Sequence, residues 1–358
     1  MKILDRYILV KYITTFLFVV FIMLLVICVI DYTEKNEDFI TKHAPLNAII
    51  FDYYLNFIPY IFNLISPIII FIATIFVTAK LAARTEITAI LASGVSFNRF
   101  LVPYIIGSAL IGISIYYMYG WVIPRASKVR HSFENMYVRG RYYFDKRNFH
   151  IKVGPETYVY IESYNNSIHT GYLVTIENIK DHTLHSKISA NRMLWVPDTQ
   201  KWRLEYYTRH TFDNMKETSQ KGEFLDTTLS LQPKDFETQH MLYEQLTIDE
   251  LNEHIAVLRE RGSEGVEPYL VEKYGRISYP FAIIILTLMG VIVSAQKSRG
   301  GVGLKIAFGF VLAFIYIIFV WIGRSIANVG NMPPEYSAWI PNVVFSLIGY
   351  IMYIRLPK

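Results

Sequence analysis

The chain has 358 residues, 53% of them hydrophobic and 15% aromatic, with 18% charged residues and a formal net charge of +5. With a mean hydropathy of +0.28, these proportions exclude an ordinary soluble domain, while the charge content excludes a bare membrane bundle; spans plus a water-exposed domain fit both. The single cysteine, Cys28, lies in an apolar run, which rules out an intramolecular disulfide or a cysteine-based metal site and leaves a small buried apolar residue.

A hydrocarbon core about 30 Å thick takes about 20 mostly apolar residues of helix. Runs of that kind fall at 13–31, 57–79, 101–123, 277–296, 304–326 and 338–354. The first, ITTFLFVVFIMLLVICVID, is too long for the apolar core of a signal peptide, and no small-residue cleavage site precedes the acidic DYTEKNED. It is read as a retained span. Pro59 and Pro67 are expected to kink the second span. Basic residues of short connections mark the cytoplasmic side. They lie before span 1 (Lys2, Arg6, Lys11), between spans 2 and 3 (Lys80, Arg84, Arg99), between spans 4 and 5 (Lys297, Arg299, Lys305) and at the end (Arg355, Lys358). The connection after span 1 is instead acidic, with Asp31, Glu34, Glu37 and Asp38. Both termini are therefore expected in the cytoplasm, with residues 135–245 outside.

That outer segment reads as β structure. ETYVYIESY, KISANRMLWV and KWRLEYYTRHTF mix β-branched and aromatic residues in near-alternation, and Pro197 and Asp198 supply a turn inside WVPDTQKWRLEYY. The expected form is a small sandwich or jelly roll. From 247 to 261, TIDELNEHIAVLRER begins with a capping threonine and sets Ile248, Leu251, Ile255 and Leu258 at helical spacing, a bridge helix back towards the membrane.

Chemistry-bearing motifs are scarce. The chain has no G-x-x-x-x-G-K-[ST] phosphate loop, no H-E-x-x-H, no G-x-S-x-G and no cysteine–histidine pairing. His150, His169, His182, His185 and His210 read as solvated strand residues, and Asp249 with Glu253 as a solvated helix face. No span carries a buried acidic residue of the kind proton-driven transporters need. An enzyme is not expected, nor a nucleic-acid binder. Gly301, Gly303 and Gly309 at the start of span 5 are read as packing positions, with bending of a gate helix as the alternative.

One short stretch stands apart: KLAARTEITAILASG, residues 80–94, between spans 2 and 3. Residues 83–93 have helical propensity, apolar Ile87, Ile90 and Leu91, and Gly94 as a stop. Arg84 and Glu86 are two apart and point to different sides of a helix. Glu86 near a helix start either complements the macrodipole or docks on a basic residue of a cytoplasmic partner.

The order three spans, β domain, three spans resembles the permeases of lipopolysaccharide-export ABC transporters, the LptF/LptG (YjgP/YjgQ) family, leaning towards the G-like members. So do LDRYI near the start, RTEITAILASG, WVIPRAS after span 3, the WVPDTQKWRL hairpin and YPFAIIILTLMGV in span 4. The resemblance implies a six-span bundle (3+3) with an inserted extracytoplasmic β-jelly-roll domain. The parts would be 1–134 with spans 1–3 and a coupling helix at 83–93, the periplasmic domain at 135–245, the bridge helix at 246–275, and spans 4–6 at 276–358. It implies a Gram-negative inner-membrane location, a second LptF/LptG-type permease, a dimeric LptB-type ATPase that binds the ATP and Mg this chain does not, and LptC- and LptA-type bridge proteins. The coupling helix would meet the ATPase through Glu86, with Arg84, Ile87 and Ile90 beside it.

Lipopolysaccharide would enter between spans 1 and 5 and pass upward to the β domain. Acyl chains need an apolar cavity, and phosphates need cations at headgroup level. Candidates at the outer rim are Arg125, Lys128 and Arg130 after span 3, Lys35 after span 1 and Arg324 near the outer end of span 5; snorkelling to lipid phosphate is the competing role of each. The chain departs from the G-like pattern at Asp31, where those members carry a basic residue, and at His131 and Glu134, where they carry arginines. Two other readings remain at this point: a secondary transporter driven by an ion gradient, and an envelope scaffold or receptor without transport.

Overall fold

The computed structural model describes residues 3–138, 148–166, 168–180, 183–213, 216–233, 242–260, 265–295 and 301–355. Lys2, His182, Lys297, Arg299 and Lys358 lie outside the described residues, as do the surroundings of Gly301. The chain forms two compact units, one of Met1–Val138, Tyr243–Leu251 and Glu267–Lys358, the other of Arg139–Leu242 and Asn252–Val266.

The first unit is helical. Span 1 is α1 (Ile3–Thr41). Span 2 is a π-helical turn (Ala48–Tyr54) running into α2 (Leu55–Ala83), which passes through both Pro59 and Pro67. A short helix, α3 (Glu86–Ala92), follows. Span 3 joins α4 (Phe97–Tyr117), a π-helical turn (Met118–Val122) and α5 (Ile123–Tyr137). After the β domain come α6 (Leu242–Gln245) and α7 (Ile248–Glu260), then spans 4 to 6 as α8 (Glu267–Ser294), α9 (Gly301–Asn328) and α10 (Pro334–Ile354). Among the described residues six helical stretches are long and apolar enough to cross a membrane.

These helices outrun the apolar runs. An apolar run marks bilayer depth, whereas a helix ends only where its backbone is stopped; DYTEKNEDFIT contains no Gly or Pro, so α1 continues through it to Thr41. Asp31, Glu34, Glu37 and Asp38 are therefore helical rather than in a loop. Likewise α8 begins at Glu267, ahead of the run at 277, and this brings Glu272 into a span at 2% exposure. The expectation of no buried acid in a span is thereby corrected.

Packing assigns the spans different roles. In their most apolar stretches 56% of residues are buried for spans 2 and 4, but only 11% for span 1 and 17% for span 5. The core joins Ile8, Tyr12 and Phe16 of α1 to Ile69 and Ile70 of α2, Phe100 and Tyr104 of α4, and Ile283 and Val291 of α8. Both α1 and α9 pack along α2. Gly309 sits where an added Cβ would overlap Ile75 of α2, so the packing reading of that glycine holds, while Gly303 faces open space.

The second unit holds one antiparallel sheet in sequential order: β1 (Phe149–Lys152), β2 (Thr157–Asn165), β3 (Thr170–Lys180), β4 (Thr183–Val196), β5 (Lys201–Asp213) and β6 (Lys216–Thr227). The expected β domain is present, its strand order a simple meander around one apolar face of Val159, Ile161, Val174, Met193, Trp202 and Leu204. Trp202 is fully buried, and its Nε1 donates to Leu231 O at 2.8 Å. The β4–β5 hairpin pairs Val196 with Lys201 across residues 197–200, with Gln200 left-handed at φ 52°. Leu173 and Tyr206 also take positive φ, 50° each, where the pairing skips a residue on both neighbouring strands. A left-handed residue bends a strand, so these positions crease the sheet.

Candidate functional site

At one end of the helical unit, α3 stands between spans 2 and 3. Thr85, left-handed at φ 59°, breaks the helix, so α3 starts at Glu86 and not at 83, and Arg84 instead caps α2. The helix-face argument for Arg84 and Glu86 therefore does not apply; their side chains approach to 4.0 Å as a loose ion pair, 59% and 28% exposed. Gly94, at φ 86°, ends α3 as expected. Ile87 is buried and Ile90 half-buried against the unit's own core. These two anchor α3 to the bundle, and outward it presents Thr88, Ala89 and Leu91, with Glu86 partly exposed at its start.

Two contacts tie this end together. Tyr7 of α1 donates its hydroxyl to Glu86 Oε2 at 2.9 Å, and Lys11 donates in turn to Tyr7 Oη. Buried Asp5, also on α1, accepts from Arg99 Nη2 of α4 at 2.6 Å. The start of span 1 is thus pinned to both sides of α3. The LDRYI motif supplies Asp5 and Tyr7, which sequence reasoning did not single out as site residues.

The opposite end carries the cations expected at a rim, and they differ in how closely protein carboxylates hold them. Arg125 and Lys128 lie three apart on α5, both exposed and without an ion pair within 4.0 Å among the described residues, though near enough to Glu250 to favour its charged form. Lys35 is engaged. Its Nζ lies 2.6 Å from Asp31 Oδ1 and also donates to Tyr53 Oη, while Tyr53 and Tyr54 donate to Asp31 Oδ2 at 2.9 and 3.3 Å. The π-helical turn is what presents two consecutive tyrosines to one carboxylate.

Arg130 is buried at 4% exposure, its guanidinium 3.9 Å from the Tyr60 ring centre, 3.7 Å from Glu134 and 3.8 Å from Glu244. His131 lies 3.4 Å from Glu134 and 3.6 Å from Glu244. Two basic and two acidic groups thus form one buried knot, and this burial removes Arg130 from the exposed rim.

Arg324 belongs to a second knot. Its Nη2 lies 2.5 Å from Glu272 Oε2, while Glu272 Oε1 accepts from Arg276 Nε at 3.0 Å. Arg276, 1% exposed, also donates to Leu246 O at 2.8 Å and Tyr243 O at 2.9 Å and lies over Tyr119. The knot carries two guanidiniums against one carboxylate, and Arg324, with its side chain 34% exposed, is the one of the two that reaches the surface. Glu272 and Arg276 stand at helical i,i+4 spacing, a signal legible in EPYLVEKYGRISYP once the helix start is known.

Among the described residues no group of three or more His, Cys, Asp or Glu side chains could hold a metal ion. Below α7, Thr247 and Glu250 form a reciprocal cap, with the Thr247 amide donating to Glu250 Oε2 at 2.8 Å and its hydroxyl doing so at 2.9 Å. These bonds hold the Glu250 carboxyl below its usual 4.5. Asp249 accepts from Trp121 Nε1 at 3.0 Å.

Six spans split three and three around an inserted antiparallel sheet, with a surface helix at one end and cations at the other, define a multi-pass membrane protein of permease architecture. The particular family follows from its sequence: residues 6–355 match the family described as Lipopolysaccharide export system permease LptF/LptG, and the chain belongs to that family. It is 20% identical over 363 residues to the "Lipopolysaccharide export system permease protein LptG" of Escherichia coli strain K12, covering 99% of this chain and 98% of that protein. The same figures hold for LptG of Escherichia coli O6:H1 strain CFT073.

Proposed function

We propose that this chain is one permease subunit of an ABC transporter that lifts lipopolysaccharide out of the inner membrane and passes it to a periplasmic bridge, driven by a separate cytoplasmic ATPase. Both termini and α3 face the cytoplasm in this reading, and the β domain faces the periplasm. The observation that carries it is the α3 end. A surface acid, Glu86, is displayed on a helix anchored from beneath by Ile87 and linked through Tyr7 to the start of span 1. A push on Glu86 would reach span 1 through that hydrogen bond, with the Asp5–Arg99 pair keeping the starts of spans 1 and 3 in register.

The poorly buried spans 1 and 5 flank α2, an arrangement suited to a second LptF/LptG-type permease completing an apolar cavity between the two. Arg125, Lys128 and the exposed part of Arg324 are the cations for lipid phosphate; Lys35 and Arg130 are already engaged by protein carboxylates. An LptB-type dimer would supply the nucleotide chemistry, and LptC- and LptA-type proteins would receive the lipid.

Glu86→Lys tests the proposal. Export is expected to stop while the amount of protein in the membrane is unchanged; full export with an unaltered ATPase sinks the docking role. Neutralising Arg125, Lys128 and Arg324 together is expected to weaken photo-crosslinking to lipopolysaccharide, and undiminished crosslinking returns them to snorkelling. The buried acids of the spans, Asp5, Asp31, Glu134 and Glu272, are the observations that favour an ion-gradient transporter, but each faces a basic side chain: Arg99, Lys35, Arg130 with His131, and Arg276 with Arg324. Both Glu272 oxygens are taken up in ion pairs with guanidiniums, the arrangement of a structural knot. A scaffold without transport would purify without an ATPase.

A further inference from the structure

Arg324 stands on α9 one turn before its last residue, Asn328. Lys305, which donates to Ser294 O at the end of α8 at 2.9 Å, marks one boundary of this span. From there to Arg324 the helix rises about 28 Å at ~1.5 Å per residue, close to one hydrocarbon thickness. Trp321, three residues before Arg324, is 67% exposed, as aromatic residues are at a membrane interface. The guanidinium is thus at headgroup depth, yet it turns inward, with Nη2 2.5 Å from Glu272 Oε2. Among the described residues no other carboxylate lies within 4.0 Å of it. Glu335 accepts from Tyr274 at 2.6 Å, and Glu244 faces Arg130 and His131. Glu272 holds its two guanidiniums unequally. Arg276 is 1% exposed and fixed by Tyr243 O and Leu246 O, whereas the Arg324 side chain reaches the surface. When Arg324 leaves, Glu272 keeps Arg276 at 3.0 Å, so the departure leaves no buried charge without a partner, the condition that makes loss of a buried pair costly.

We propose that Glu272 is a specificity-determining residue: it parks Arg324 inside the bundle, and a lipid with a phosphomonoester headgroup draws the guanidinium out where a zwitterionic phospholipid does not. This rests on the reading of Arg324 as a phosphate contact. Parking competes with every lipid and weakens the apparent affinity of each by the same factor. A weak ligand that is abundant in the membrane then falls below half-occupancy, while a strong one stays bound. A phosphomonoester carries a charge of about −1.5 to −2 on oxygens that match the guanidinium fork. The phosphate of phosphatidylcholine carries a single charge with the choline cation beside it. The buried carboxylate therefore rejects the commoner lipid without touching it, by competition from within and not by a tighter pocket.

The test uses the full chain with photoreactive benzoylphenylalanine at Asn328, which is exposed and one turn beyond Arg324. It is placed in phosphatidylcholine nanodiscs containing increasing amounts of phosphatidic acid, with one or the other lipid labelled on an acyl chain. A saturable crosslink to phosphatidic acid is expected, with only background to phosphatidylcholine, and Arg324→Gln removes the saturable part. Glu272→Gln is expected to lower the half-saturating fraction of phosphatidic acid about tenfold, as loss of a state that holds Arg324 about nine-tenths of the time requires. It also raises crosslinking to phosphatidylcholine. Because this change leaves Arg276 buried without a counter-charge, Glu272→Gln combined with Arg276→Gln, which removes both charges, is run beside it and should bind alike. Half-saturation unchanged from the parent in these variants overturns the parking, even where Arg324→Gln abolishes the crosslink and the phosphate contact stands. A parent that crosslinks the two lipids alike overturns it as well. Crosslinking by Arg324→Gln at the parent's level instead removes the phosphate contact itself, and the parking with it.

Discussion

Replacing Glu272 by glutamine tests the knot that ties the segment returning from the β domain to span 4. The carboxylate is 2% exposed and faces Arg276 at 3.0 Å and Arg324 at 2.5 Å. Removing one member of a buried ion pair typically costs ~3–5 kcal/mol, because the partner charge is left without compensation. Arg324, with its side chain 34% exposed, can turn towards the headgroup region, so its share is small; Arg276, 1% exposed and fixed by two carbonyls, cannot turn away. Glutamine keeps the shape and still accepts one hydrogen bond, which places the loss near the low end, ~3 kcal/mol. At about 2 °C per kcal/mol for a chain of this size, the midpoint for thermal loss of monodisperse protein in detergent falls by about 6 °C. Arg276→Gln alone should be comparably harmful. The double variant should lose clearly less than the sum, because the second change removes a charge the first has already orphaned. If Glu272→Gln stays within about 1 °C of the parent, or if the two losses simply add, the knot does not hold the segment by charge pairing.

At the α3 end, Tyr7→Phe removes only a partly exposed hydrogen bond and should cost no more than ~0.5–1.5 kcal/mol of stability, yet it should lower export in a vesicle assay at unchanged membrane level. Asp5→Arg should abolish export, with partial recovery when combined with Arg99→Asp; no recovery would assign Asp5 a role other than pairing. Thr247→Ala should destabilise the start of α7 by about 1 kcal/mol, read by hydrogen exchange of its first turn. Glu250 is held below its usual 4.5 by the Thr247 amide and hydroxyl. Its contribution is therefore present above that value and lost as pH falls through the lower folded value, and Glu250→Gln should flatten this acid limb of the exchange profile. In the sheet, Gly222 lies beneath Tyr207, where an added Cβ would come within 2.7 Å of the ring. Gly222→Val should cost ~1–3 kcal/mol by overpacking, seen as a lowered midpoint in near-ultraviolet circular dichroism.

The amino-acid sequence by itself determined the number of spans, their grouping around a β insertion, the capping threonine of α7, the hairpin at Pro197 and Asp198, and the short helix ended by Gly94. Each of these rests on local patterns, namely apolar runs of bilayer length, alternation, and residues with a fixed backbone preference. Helix ends were the first thing that local patterns misplaced, because polar residues such as those of DYTEKNEDFIT continue a helix without prolonging its apolar run. Only the tertiary structure decided which charges are free. Lys35, Arg130 and Arg324 read alike as rim cations, but Asp31, Glu134 with Glu244, and Glu272 engage them to different degrees. Glu244 and Glu272 lie more than a hundred and about fifty residues from Arg130 and Arg324, so the pairing is invisible until the spans are packed. The same holds for Tyr7 with Glu86 and Asp5 with Arg99, separated by 79 and 94 residues. Burial makes such pairs necessary, since an unpaired charge at low dielectric is costly, but which partner meets it depends on which helix faces are brought together.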